Sequence, residues 1–97
     1  MRAYVDAGQL LIVAGNQTYR TLIPRSYART LADGLKRARR YPGEKRWVLP
    51  GGGSFGIWCT KNDPHPMVIL HGRIELDPTV TELDQLIQTL ETYGRTR

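Results

Sequence analysis

Basic and aromatic side chains are interleaved along the first half of the chain. Tyr19 precedes Arg20, Arg25 and Arg29 flank Tyr27, Arg40 precedes Tyr41, and Lys45-Arg46 runs into Trp47. Binding a single nucleic-acid strand calls for that mixture, because cations follow the phosphates while aromatic faces stack on bases for roughly 1 to 3 kcal/mol each. With Lys36 from the same stretch, the candidate contact residues are Arg20, Arg25, Arg29, Lys36, Arg40, Lys45, Arg46 and Trp47. Tyr27 and Tyr41 fall on the apolar positions of a helical pattern, which leaves Tyr19, Trp47 and Trp58 as the stacking groups.

Other constellations carry less. Cys59, Asp63, His65 and His71 form the one set of metal-ligand types at short spacing, but Asp63 and His65 belong to a proline-rich turn and no metal is expected. Cys59 shares a strand face with Phe55 and Ile57, the pattern of a buried, inert thiol. Gly51-Gly52-Gly53-Ser54 lacks the Gly-Lys-Ser/Thr of a phosphate-binding loop and leads into a strand, so it reads as a flexible connector whose amides have the alternative use of holding an anion. His71 could act as a general base with Arg73 or Arg46 steadying a phosphoryl group, as in a small nuclease, yet nothing in the spacing requires it. No catalytic residue and no cofactor is expected.

The remaining arithmetic bounds the class. Ninety-seven residues at 40% hydrophobic and 24% charged suit one domain, 1–97, and exclude a disordered tail. No run approaches the roughly 18 apolar residues of a membrane span, and the start of the chain lacks the order of a secretory signal, so a cytoplasmic protein with no membrane partner is expected. One cysteine forms no internal disulfide, and packing must hold the core. The formal charge of +5 is divided unevenly: residues 1–50 carry a net +7 and the rest −2. That asymmetry marks the basic stretch from Arg20 to Arg46 as the contact surface, although a helix also carries basic residues merely to keep one face solvated.

The elements that must position these groups follow from periodicity. Residues 2–7, 9–14 and 17–23 read as strands, with Gly8 and Gly15-Asn16 as turns; the second is apolar enough to be buried on both faces. From Ser26 to Tyr41 the residues Tyr27, Leu31, Leu35, Ala38 and Tyr41 form one helical stripe, with Arg25, Arg29, Lys36 and Arg40 opposite. Gly34 inside that helix predicts close approach to a strand. Strands are predicted at 46–49, 55–61 and 67–71, with 73–76 either continuing the last or forming its own. Asp77-Pro78 reads as a helix start, with Thr79 and Glu82 as a competing capping box, and Val80, Leu83, Leu86, Ile87, Leu90 and Tyr93 mark the apolar face of the second helix.

The expectation is an α+β domain, one antiparallel sheet of five or six strands with two amphipathic helices in the order βββαβββα. Its halves, 1–43 and 44–94, would form a pseudo-repeat. The function read from this is a small, non-catalytic binding protein whose basic face contacts an anionic partner, nucleic acid first. The alternative is a protein-interaction module or small inhibitor that binds an acidic protein surface and self-associates as a homodimer, the basic helix of one copy facing the acidic helix of another.

Overall fold

Tight turns fold the start of the chain into a three-stranded meander. β1 (Arg2–Asp6) passes through Ala7-Gly8 into β2 (Gln9–Ala14), which passes through Gly15-Asn16 into β3 (Gln17–Leu22). Ala7 and Gly8 both have positive φ, 51° and 77°, the backbone of a hairpin turn whose twist matches the strands it joins. β2 is the middle strand, and Leu10, Leu11 and Ile12 are all buried, so both its faces are covered, as its apolar run predicts. The computed structural model describes residues 1–41, 43–49, 54–59 and 67–95.

Pro24 ends this meander and begins α1 (Arg25–Arg40), its carbonyl accepting the N–H groups of Tyr27 at 2.9 Å and Ala28 at 3.1 Å. Ala28, Leu31, Ala32, Leu35 and Ala38 are the buried stripe. Tyr27 is only half-buried, and Tyr41 lies beyond the last turn as the C-cap, 67% exposed, instead of completing the stripe. Four strands follow: β4 (Gly43–Val48), β5 (Ser54–Cys59), β6 (Met67–Leu70) and β7 (Ile74–Leu76). α2 (Val80–Arg95) then buries Leu83, Leu86, Ile87 and Leu90. Its start is the capping box and not Asp77-Pro78: the Thr79 hydroxyl accepts from the Glu82 N–H at 3.1 Å while the Glu82 carboxylate accepts from the Thr79 N–H at 2.8 Å.

The α+β class holds, but the single sheet of five or six strands does not. Among the described residues seven strands form two antiparallel sheets, β1-β2-β3 and β4-β5-β6-β7, in the order βββαββββα. Two causes account for the difference. His71 and Gly72 take φ of 55° and 75°, and the Arg73 N–H closes on the Leu70 carbonyl at 3.2 Å, so 74–76 turns back as a separate strand. The outer edge of β1, meanwhile, is occupied by α2 and is closed to a further strand.

The helices pack on each other antiparallel, with Arg25 near Tyr93 at one end and Arg39 paired with Asp84 at the other. α2 lies along β1, whereas α1 lies along β4 and β5, so each helix rests on strands from the other half of the chain. One cluster of buried side chains, from Ala3, Leu10 and Ile12 through Leu31 and Leu35 to Phe55, Leu70 and Leu86, runs through both halves.

Candidate nucleic-acid interface

On the second sheet, register assigns each side chain to a face. Lys45 and Trp47 pair with Ile57 and Phe55, whose side chains are buried beneath the helices, so they belong to the inner face; Glu44, Arg46 and Val48 alternate with them and face outward. At the inner face Trp47 packs on α1 at Gly34, where an added Cβ would overlap the indole ring. The glycine therefore admits the close helix-to-strand approach that its position within the helix predicts.

Around this contact Thr30, Asp33, Arg37, Tyr41 and Lys45 line an open groove of about 490 Å³ between α1 and β4. Arg40 adjoins it beside Arg37 and Tyr41. Arg37, Arg40 and Lys45 have no ion-pair partner among the described residues. Placement in the last turn of α1 gives Arg37 and Arg40 a structural use, since cations there offset the helix dipole. Lys45, on a strand, has no such use. Three hydrated cations beside one exposed and one half-buried aromatic ring can neutralise phosphates and offer a ring face to a base.

The other predicted site residues are dispersed. Lys36 is paired with Glu91 of α2 at 2.9 Å, and its neighbour Arg39 with Asp84, so part of the basic face of α1 is matched by the acidic helix of the same chain. This is the helix pairing expected between two copies, made instead within one. Arg25 lies over the ring of Tyr93, 5.6 Å from its centroid, and Arg29 packs its stem on Gly94. Arg20 is exposed on the outer face of the first sheet, opposite Leu11. Arg46 is bonded to Glu44 at 3.0 Å on the face opposite Lys45 and Trp47, which separates it from the corner it was expected to share.

The stacking groups also change. Tyr19 and Trp47 are half-buried against the core, while Trp58 remains 44% exposed on the outer face. Trp47 stays in the groove, and Tyr41 and Arg37 join it. The signal for both was Gly34: residues one and two turns beyond a helix-to-strand contact border whatever groove it leaves.

The other helix makes a contrasting junction. The Ala3 N–H donates to Gln85 Oε1 at 2.9 Å, and Gln85 Nε2 donates back to the Ala3 carbonyl at 2.6 Å, so one side-chain amide occupies the strand edge as a neighbouring strand would. Thr89 supports the amide, accepting from Gln85 Nε2 at 2.9 Å, and the Tyr93 hydroxyl donates to the Ile23 carbonyl at 3.0 Å. The Met1 ammonium pairs with Glu82, and that pairing, with the Thr79 N–H, holds the Glu82 carboxyl below the usual carboxylate range. A larger cleft of about 690 Å³ opens beside this junction, but Arg25 is the one charged residue in its lining, so it lacks the electrostatic character of the α1/β4 groove.

Among the described residues no three His, Cys, Asp or Glu side chains gather as a metal site. Asp63, His65 and the Gly51–Gly53 connector lie outside the described residues, as does the side chain of Cys59. His71 occupies the β6–β7 turn, half-buried, with Nε2 3.4 Å from the Arg20 carbonyl. No helix among the described residues is long and apolar enough to cross a membrane. The chain matches no family model, no curated protein and no solved structure.

Proposed function

We propose that this protein is a non-catalytic, cytoplasmic binder of single-stranded nucleic acid, and that the strand lies along the groove between α1 and β4. The observation that carries the reading is the convergence of Arg37, Arg40 and Lys45, without carboxylate partners among the described residues, beside Tyr41 and Trp47. Four other cations, Lys36, Arg39, Arg46 and Arg95, are already engaged with carboxylates. The net charge of +5 adds a long-range attraction for a polyanion. Arg37, Arg40 and Lys45 follow the phosphates, Tyr41 supplies an exposed ring, and Trp47 forms the floor. Asp33, in the same lining, opposes phosphate and keeps the strand toward the β4 side.

Fluorescence anisotropy with a labelled single-stranded oligonucleotide, from about 50 to 200 mM salt, tests this. Three phosphate contacts predict a log-log slope near about −2, at roughly −0.7 per phosphate on single strands. Binding that is absent, or indifferent to salt, removes the proposal and leaves an acidic protein surface as the partner to seek.

A further inference from the structure

Among the described residues no helix or strand packs on the outer face of the second sheet. Across it the register sets Arg46 of β4, Gly56 of β5, Ile69 of β6 and Glu75 of β7 in a single row, with Glu44, Trp58 and Met67 in the next. Val48, at 75% exposure, and Trp58 carry apolar surface into solvent there, while the helices pack on the other face. The row is self-complementary. Its ends have opposite charge, and its middle holds an absent side chain next to a branched one.

We propose that this face is a twofold interface between two copies of this chain. A twofold axis parallel to the strands inverts strand order, laying β4 over β7 and β5 over β6 of the second copy. Arg46 then opposes Glu75 at both edges, Ile69 lies over Gly56 of the second copy, and the Trp58 indole meets the Met67 thioether, a favourable sulfur-aromatic contact. Facing sheets pack about 10 Å apart with a rotation near 30°. At an edge strand roughly 7 Å from the axis that rotation displaces a residue by about 4 Å, within reach of an arginine. Among the described residues Arg46 is tied only to Glu44, at an exposed pair that can take a second carboxylate.

The net charge of this face, slightly acidic from Glu44, Arg46 and Glu75, argues against a polyanion, while the opposite signs of Arg46 and Glu75 at its two edges are what a second copy matches. Size argues for a reversible contact. Four strands about 4.8 Å apart, of six, six, four and three residues, project roughly 300 Å² a side, well below the standard interface and in the range of weak, transient contacts. A dissociation constant in the micromolar range is expected.

Sedimentation of the purified chain from about 1 μM to 1 mM, without nucleic acid, reads it directly. The wild type is expected to pass from monomer to dimer. Arg46→Glu and Glu75→Arg each set like charges against one another at both edges and should raise the dissociation constant about tenfold or more. Mixed in equal amounts, the two variants restore opposite charges at both edges and should form heterodimers of near wild-type affinity. Circular dichroism checks that each variant is folded; should either fail, Ile69→Lys, which puts an unmatched charge at the centre of the contact, is expected to leave the chain monomeric. A wild type that stays monomeric throughout, reversals without effect, or a mixture that recovers nothing each overturns the proposal.

Discussion

Each helix of this protein lies beside an edge strand, and the two junctions are finished in different ways. At α2/β1 the polar groups find partners inside the chain: the Gln85 amide takes both backbone groups of Ala3, and Glu82 takes the Met1 ammonium. At α1/β4 the contact is mostly steric, Trp47 on Gly34, with a single bond from the Tyr27 hydroxyl to the Val48 carbonyl at 3.2 Å. Arg37, Arg40 and Lys45 are left facing water. The same arrangement of helix on strand edge therefore closes one junction and leaves the other open with charge around it. A junction needs cross-links only where backbone groups would otherwise lose water, so charges left unmatched at the other are free to serve a ligand.

The sharpest way to break this contrast is to reverse the charges of the open junction. Arg37→Glu, Arg40→Glu and Lys45→Glu together should weaken single-strand binding by roughly 100-fold or more at about 50 mM salt and flatten the salt slope by about 2. Lys36→Gln with Arg39→Gln, which removes cations matched by Glu91 and Asp84, should change affinity about threefold at most. Equal losses in both sets, measured by anisotropy, would mean that net charge alone drives binding and that the groove has no special part.

At the closed junction the expected effect is on stability. Gln85→Ala leaves the outward N–H and carbonyl of Ala3 without their amide, at a cost of about 1 to 3 kcal/mol, or several degrees in melting temperature. Nucleic-acid affinity should not move. A variant that melts with the wild type would show that water replaces the amide freely and that this junction is no more closed than the other.

Two helical glycines sharpen the comparison further. Gly34→Ala gains helix propensity worth about 1 kcal/mol but drives a methyl into a rigid indole, and overpacking of that kind costs about 1 to 3 kcal/mol, so the net effect should be destabilising with a shifted Trp47 fluorescence spectrum. At Gly94 an added methyl overlaps the Arg29 Cγ, which can rotate away, and lies 3.3 Å from the Arg29 backbone N, which cannot, so the melting temperature should fall, but by less than at Gly34. Thermal melts of the two alanine variants compare them directly.

Much of this was legible in the sequence for identifiable reasons. The buried strand at 9–14, the helix stripe through Leu31 and Leu35 and the meaning of Gly34 follow from local pattern, and the structure has them. The separation into two sheets does not, because it depends on Gln85 reaching the edge of a strand more than eighty residues away. The basic site was visible as a region and misread in detail for the same reason. Arg25, Lys36 and Arg46 look as available as Arg37 until α2 and the pleat of β4 are in place, when Tyr93, Glu91 and Glu44 engage them. Periodicity reports which face a residue occupies, not what the rest of the chain brings to that face.

The smallest expected effect also separates the junctions, through pH. The Glu82 carboxyl is held below its usual range first by the Met1 ammonium and then by the Thr79 N–H. The folded chain therefore binds fewer protons at this group than the unfolded chain does once pH falls into the carboxylate range. Its contribution to stability is complete above the unfolded value, roughly pH 4.3, and is lost as pH falls through the lower folded value. Melting temperatures between about pH 7 and pH 3 should accordingly fall less steeply for Glu82→Gln than for the wild type, the two curves converging at the acid end. Because Glu82 is only half-buried, salt should shrink the difference. Curves that stay parallel across the whole range would show that Glu82 does not tie α2 to the start of β1, leaving the Gln85 amide and its neighbours to close that junction without it.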